Sequence, residues 1–170
     1  MPVIAESEDG ILWVNDASVR QLIVDEAESW IGTPYIKRGT IKGVGVDCGM
    51  LSYMVYKKFN LVPDLEGNLP TLDDGWFCNT YDQRYARLVE RYWRKLVVGQ
   101  ARAEKKPEYL HGNLALVKTH GSLVYNHAGI IIDWPKVIHA DPTFGVRKVD
   151  VSCDQYWGYK EIAVYEVVNK

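Results

Sequence analysis

The first half of the chain carries apolar side chains at the three- and four-residue spacing of amphipathic helices. The first such stripe consists of Val19, Leu22, Ile23, Ala27, Trp30 and Ile31. Asp16 or Ser18 is suited to cap a helix, and Gly32 and Pro34 are residues that end one. The pattern predicts a helix that begins near Asp16 or Ser18 and ends before Gly32.

A second helical stripe follows a glycine-rich segment. Residues 39–47 include three glycines, which is typical of a loop and not of a packed element. Beyond this loop Leu51, Val55 and Phe59 recur every four residues, and this spacing predicts a helix that ends near Pro63. Cys48 therefore stands at or just before the first turn of the second helix.

A third helical pattern begins after a long loop. The loop, residues 61–77, contains Pro63 and Pro70, and we expect it to form a wall of a substrate groove. Thr80 to Gln83 resembles a capping box. The apolar stripe beyond it predicts a helix as far as Gly99, through Tyr81, Tyr85, Leu88, Val89, Tyr92 and Leu96.

The second half of the chain alternates short apolar runs with turn residues. Glycine, proline and aspartate separate these runs, which is the pattern of antiparallel strands. The predicted strands are Leu114–Val117, His127–Ile132, Val137–Ala140, Arg147–Val151 and Ile162–Val168. Helices first and strands later predict an α+β fold with a mostly antiparallel sheet.

Length and charge limit the classes of protein to consider. A chain of 170 residues with 47% hydrophobic content supports one core, so we predict a single domain over residues 1–170, with 1–15 as an N-terminal extension. The formal net charge is −2 and no basic run exceeds Lys105-Lys106, which argues against a nucleic-acid partner.

The three cysteines and the N-terminal residues bear on the cellular compartment. Cys48, Cys78 and Cys153 form neither a disulfide framework nor a metal-binding spacing, and we expect the last two to be structural. The N-terminal stretch lacks the pattern of a signal peptide, and no apolar run reaches membrane-spanning length. We therefore expect synthesis in the cytoplasm and no membrane span.

Cys48 is the candidate nucleophile. The backbone N–H groups and the positive dipole end of a helix N-terminus favour an anion, so we expect the pKa of the Cys48 thiol to be lowered there. The same N–H groups are placed to hold the oxyanion of a tetrahedral intermediate. Without other evidence, a cysteine at a helix start is more often a small buried hydrophobic residue.

Two of the four histidines are candidates for acid–base chemistry. His127 begins one predicted strand and His139 lies near the end of the next, with a turn at residues 133–135. Across an antiparallel hairpin their Cβ atoms would lie roughly 5–8 Å apart on one face. His127 is then placed to act as the base and His139 to orient it. His111 and His120 are predicted to be surface residues.

A zinc site is the main competing interpretation. Cys48, His127 and His139 are all legitimate zinc ligands, and three protein ligands with an open position form a catalytic zinc site. No fourth acidic or histidine ligand lies near them in the sequence, and a helix N-terminus favours a free thiolate. We therefore predict no metal and no cofactor.

Four separated blocks of the sequence resemble the NlpC-type cell-wall cysteine peptidases, a papain-like group. The blocks are Trp30 to Tyr35, Gly43 to Cys48, Asn126 to Ile130 and Val137 to Ala140, and the resemblance spans about residues 17–151. The closest likeness is to the phage and prophage branch, through residues 43–49 and the segment around Trp76.

The resemblance implies a role for five residues. Cys48 matches the nucleophile, His127 the general base and His139 the residue that orients the base. Tyr35 matches a tyrosine whose hydroxyl points at the nucleophile, and Asp47 matches an acidic residue that caps the helix or anchors the loop. The chain departs from the family in having Gly49-Met50 after the cysteine and Gly112-Asn113 before the strand that precedes the base.

The implied activity is hydrolysis of amide bonds in the stem peptides of peptidoglycan. The implied bond lies between D-γ-glutamyl and meso-diaminopimelate or L-lysine. Membership of the phage branch implies phage tail proteins as partners and a location in the virion tail, acting on the cell wall. Two alternatives stay open: a structural component of the tail tip with little or no activity, and an amidase or acyltransferase on the same scaffold.

Overall fold

The computed structural model describes residues 17–65, 84–100, 102, 105–119, 121–155, 157–158 and 160–167. Predictions for the N-terminal extension, most of the loop at 61–77, the capping box at 80–83, Cys78 and His120 lie outside these residues. Among the helices of the described part of the chain, none is long and apolar enough to cross a membrane.

Helix α1, Ala17–Glu28, confirms the first predicted helix. It buries one stripe of apolar side chains, of which Ile23 and Ala27 are fully inaccessible. After the helix, the Gly32 N–H donates to the carbonyl of Val146 at 2.9 Å, and this bond joins the end of the helical segment to the sheet.

Helix α2, Cys48–Lys57, confirms the second predicted helix and begins at the predicted cysteine. It follows a short hairpin formed by β1, Thr40–Ile41, and β2, Gly45–Val46. The helix ends earlier than Pro63, because Asn60 adopts a left-handed conformation with φ of 55° and the Leu61 N–H donates to the carbonyl of Tyr56. Phe59 therefore lies in the turn beyond the helix.

The third predicted helix is wrong in its second half. Helix α3, Arg84–Tyr92, ends where strand β3, Trp93–Gln100, begins. β3 pairs with strand β8, Glu161–Val167, along its whole length, with a bulge near Leu96. The helical spacing of Leu96 was misleading because backbone pairing with β8 and the β-branched Val97 and Val98 favour an extended chain.

The remaining strands confirm the second half of the prediction. They are β4, Leu114–Val117; β5, His127–Asp133; β6, Lys136–Asp141; and β7, Gly145–Asp150. The six-stranded sheet has the order β3-β8-β4-β5-β6-β7, and every neighbouring pair is antiparallel. The predicted α+β architecture is confirmed. The pattern missed β3 in this sheet and the short pair β1–β2 within the predicted glycine-rich loop.

The sheet separates two apolar clusters. On one face the helices pack against alternate strand residues such as Ala128, Ile130 and Ile138. On the other face Val137, Val149 and Ile162 pack around Trp157. Since α2 lies against β5 and β6, the first turn of α2 is brought to the strands that carry the two candidate histidines.

Candidate active site

The first turn of α2 fixes the backbone around Cys48. Asp47 is its N-cap: one carboxylate oxygen accepts from the Met50 N–H at 2.8 Å, and the other accepts from the Arg38 N–H at 2.8 Å. The first bond caps the helix and the second ties the preceding loop to it. The prediction that Asp47 serves as a cap and loop anchor is confirmed.

The Cys48 thiol is buried, with 2% of the residue exposed. Burial raises the pKa of the thiol well above its ordinary value, and the neighbouring Asp47 carboxylate raises it further. The backbone N–H groups of Ala128, Gly49 and Cys48 itself act in the opposite direction but are outweighed. The expected lowering of the pKa is therefore wrong for this structure, in which burial favours the neutral form of the Cys48 thiol.

We expect the negative charge of the Asp47 side chain to have a measurable effect on the pKa of the Cys48 thiol. Asp47→Asn removes a negative charge beside the sulfur, so the pKa of the Cys48 thiol should fall and its alkylation should begin at lower pH. The measurement is the rate of iodoacetamide labelling of Cys48 between pH 6 and pH 10, read by mass spectrometry. Asp64→Asn, which alters an exposed carboxylate after α2, is the matched control. An unchanged labelling curve in Asp47→Asn would contradict this account.

Tyr85 explains why a glycine follows the cysteine. A Cβ atom at Gly49 would lie 2.9 Å from Cε2 of the Tyr85 ring, which is closer than packed carbon atoms approach. Tyr85 is 2% exposed, and its hydroxyl interacts with the Ser52 side chain one turn along α2. The departure from the family pattern at Gly49 thus follows from an aromatic ring packed on the nucleophile's own helix.

Gly49→Ala should destabilise the protein by about 1–3 kcal/mol because the added methyl group overpacks this contact. This loss is opposed by the higher helix propensity of alanine, which is worth less in the first turn, where Gly49 lies, than the gain of about 1 kcal/mol in a helix interior. In a Tyr85→Leu background the steric conflict is relieved, and the same change should be neutral or stabilising. Urea unfolding of the four proteins gives the coupling free energy. Equal penalties in both backgrounds would show that the ring does not impose the glycine.

The two candidate histidines meet across the β5–β6 hairpin. His127 is the first residue of β5 and His139 lies in β6, and both are at least 98% buried. Nε2 of His127 lies 2.8 Å from Nδ1 of His139. The prediction that the two rings face each other is confirmed.

His139 is held as a neutral imidazole. Burial lowers its pKa to about 4, an effect that the nearby Asp141 only partly offsets. The direction of the 2.8 Å hydrogen bond depends on the tautomers: if the neutral His139 ring is protonated on Nε2, its Nδ1 is the acceptor and His127 carries its proton on Nε2. This pairing leaves the lone pair of His127 on Nδ1, which is the tautomer that a general base requires.

Tyr35 is anchored beside the nucleophile through its backbone. It forms an isolated bridge with Val46, and the flanking residues exchange backbone bonds with Val46 at 3.0 and 3.1 Å. The half-buried side chain packs against the cluster that contains Cys48. The bridge places the Tyr35 backbone beside Val46, two residues before the start of α2. That the Tyr35 hydroxyl points at Cys48 stays a prediction.

Trp157 is a site residue that the sequence did not reveal. Its fully buried ring lies with its centroid 5.6 Å from each of the two histidine rings. Gly129 makes room for it, since a Cβ at that position would lie 2.9 Å from the indole. The sequence feature that could have indicated this contact is a glycine in the middle of a predicted strand, because such a glycine often marks the close approach of another group.

The other candidate residues lie apart from this arrangement. Cys153 is exposed and His111 is half-buried in a loop, so the structural role expected for Cys153 is not supported by burial. Across the described ranges, no group of three or more histidine, cysteine, aspartate or glutamate side chains is arranged to hold a metal ion.

The fold is similar to those of solved NlpC/p60 proteins. NlpC2 from Trichomonas vaginalis has a TM-score of 0.60 and 15% identity, over 92% of this chain and 49% of that one. An NlpC/p60 family protein from Bacillus cereus has a TM-score of 0.54 and 17% identity, over 88% and 40%. An N-acetylmuramoyl-L-alanine amidase from Bacteroides uniformis has a TM-score of 0.55 and 12% identity, over 90% and 100%.

These similarities establish the fold, and the predicted papain-like α+β architecture is confirmed. The chain spans about half or less of the length of the first two proteins. No family model matches the chain, and no curated protein matches its sequence.

Proposed function

We propose that this chain is a cysteine endopeptidase that hydrolyses amide bonds in peptidoglycan stem peptides. The observation that carries the proposal is that the start of α2 lies against the start of β5. The Ala128 N–H at the start of β5 interacts with the Cys48 sulfur, and the adjacent His127 ring contacts His139 at 2.8 Å. A nucleophile, a general base and a residue that orients the base are the components of a cysteine hydrolase.

In the acylation step, Nδ1 of His127 takes the proton of the Cys48 thiol as the sulfur attacks the substrate carbonyl. Burial disfavours a separate thiolate, so proton transfer and attack are coupled. The oxyanion is stabilised at the N-terminus of α2, and by family resemblance the Tyr35 hydroxyl assists there. His127 then gives its proton to the leaving amine, the C–N bond breaks and a thioester remains on Cys48.

In the deacylation step, His127 removes a proton from water, and the resulting oxygen nucleophile attacks the thioester. The C–S bond breaks, His127 returns its proton to the sulfur, and the product leaves as a carboxylic acid that releases the second proton of the water to solvent. His139 keeps its Nδ1 lone pair throughout, so it holds the His127 ring in one orientation for both steps.

The bond that we propose for cleavage joins D-γ-glutamyl to meso-diaminopimelate or to L-lysine. Its support is the sequence resemblance in the four blocks between residues 30 and 140. Amide hydrolysis at the sugar–peptide link is the second candidate, because one similar fold belongs to a protein named as an N-acetylmuramoyl-L-alanine amidase.

The test is digestion of purified muropeptides that carry either diamino acid, with mass spectrometry of the products. The endopeptidase predicts a new amino terminus on diaminopimelate or lysine, whereas the amidase predicts an intact peptide that begins with L-alanine. Products joined to an added amine acceptor would identify an acyltransferase. Absence of all three products from a folded, reduced protein would contradict the proposal and favour the structural alternative.

We extend the proposal to association with a phage or prophage tail, with the cell wall as the place of action. Its support is the sequence resemblance of residues 43–49 and the Trp76 segment to that branch. Mass spectrometry of purified particles should then find the chain in the tail fraction, and its absence from that fraction would contradict the extension. Normal particle assembly with Cys48→Ala would separate an enzymatic role from a structural one.

A further inference from the structure

Three charged side chains form a cluster beside the histidine pair. Arg147, which lies directly opposite His139 in the β6–β7 register, donates from Nε and Nη2 to Oδ2 of Asp141 at 3.1 and 2.8 Å. Nη2 of Arg147 also donates to Oδ2 of Asp154 at 3.2 Å. We call these three residues the Asp–Arg–Asp cluster. It joins the end of β6, the middle of β7 and the loop after β7.

The cluster also fixes the segment that carries Trp157. The second oxygen of the Asp154 carboxylate accepts from the Trp157 N–H at 3.1 Å, and the Asp154 carbonyl accepts from the Gly158 N–H at 2.7 Å. Asp154 therefore links Arg147 to the backbone of Trp157. The same connection sets the fully buried indole against His127 and His139, and neither Trp157 nor His139 is exposed to solvent.

The charges of the cluster act on His139 in opposite directions. Asp141 and Asp154 raise the pKa of the His139 ring, and Arg147 lowers it. From β5 the titratable group that faces His139 is His127. Without the guanidinium, two carboxylates would stand near a buried imidazole and would favour its protonated form. A protonated His139 has no acceptor nitrogen for His127.

We propose that the Asp–Arg–Asp cluster and Trp157 are positioning residues of the hydrolase, which keep His139 dry and able to accept the hydrogen bond from His127. This inference rests on the proposed function. The cluster touches neither the sulfur nor the reacting atoms in this scheme, and it acts through His139 and through the Trp157 ring that packs on both histidines.

The test is an NMR titration of the imidazole nitrogens of His139 in the full chain, from pH 8 to pH 3, so that shifts to either side of the wild-type pKa of about 4 are measured. Arg147→Gln should raise the pKa of His139, and Asp141→Asn should lower it. Arg147→Lys keeps the charge and should restore a value near that of the wild type. Arg94→Gln is the matched control, because Arg94 lies on β3, at the opposite edge of the sheet, where it pairs with Glu166 of β8. This control should leave the titration unchanged.

The same variants should also change the pH dependence of activity, and a purely structural role would not produce this change. The acidic limb of the kcat/KM profile should move to higher pH in Arg147→Gln, with a several-fold loss near pH 5.5, and Arg147→Lys should reverse the shift. Trp157→Phe should retain the wild-type profile, and Trp157→Ala should raise the pKa of His139 toward its ordinary value as water enters.

Opposite shifts in Arg147→Gln and Asp141→Asn would support the inference. Shifts of the same sign, or no shift in either variant, would overturn it. The NMR titration does not depend on turnover, so a wild-type protein that cleaves no stem peptide would refute the proposed function while the titration still decides the role of the cluster.

Discussion

Hydrolysis of stem peptides is expected to fall by about 10⁴-fold or more when Cys48 is replaced by alanine, because the covalent route requires its sulfur. The residual rate should equal the rate at which the bound substrate is hydrolysed by water without a nucleophile on the protein. Initial rates from purified muropeptides, followed by chromatography, measure the loss. Retention of more than a few per cent of the wild-type kcat/KM would mean that another group carries the reaction.

Loss of the fold is the main alternative cause of such a result. Cys48 lies in the main core cluster, and removing its buried sulfur leaves a small cavity that should cost about 1 kcal/mol of unfolding free energy. A cost of this size lowers the melting temperature by about 2–4 °C in a chain of this length. Cys48→Ser keeps a polar atom at the position of the sulfur, although the hydroxyl is smaller than the thiol, and serves as the matched control. Both variants should be folded and inactive.

Replacing His127 by alanine is expected to lower kcat/KM by about 10³-fold at pH 7. The reason is the raised pKa of the buried thiol: without a base at its side, very little of the sulfur is ionised at neutral pH. Hydroxide can substitute for the missing base, so the activity of His127→Ala should continue to rise with pH beyond the wild-type optimum.

The pH profiles of kcat/KM between pH 6 and pH 10 test this prediction. His111→Ala is the matched control, since His111 is a half-buried loop residue outside the histidine pair. It should retain the wild-type profile. A His127→Ala protein within tenfold of the wild type at pH 7 would show that the thiol ionises without help from this ring.

Local sequence patterns predicted much of the fold and of the site. The apolar stripe after the glycine-rich loop identified the start of α2, and Asp47 caps it as expected. The even separation of His127 and His139 across a turn placed their rings on one face, where they meet. Both predictions rest on periodicity within a single element or hairpin, so short-range information was sufficient.

The failures have a common physical origin in contacts between distant parts of the chain. β3 follows a helical apolar spacing, but its backbone pairs with β8, which lies more than sixty residues away. The pKa of Cys48 depends on how completely the sheet buries the first turn of α2, and the helix dipole alone gave the wrong direction. Trp157 reaches the histidines from the loop after β7, and no local pattern specifies that approach.

The central claim is that the Cys48 sulfur is the nucleophile, and its most direct test is selective chemical modification of the otherwise native site. In a Cys78→Ser, Cys153→Ser protein, Cys48 is the remaining thiol. Iodoacetamide at pH 9.5 modifies it slowly over a long incubation, because burial raises its pKa and the thiolate is the reactive form. Intact mass gives the modified fraction, and muropeptide hydrolysis is measured on the same samples. The account predicts that activity falls in proportion to modification and vanishes at one equivalent. Full hydrolysis by a protein whose Cys48 is completely alkylated would contradict it.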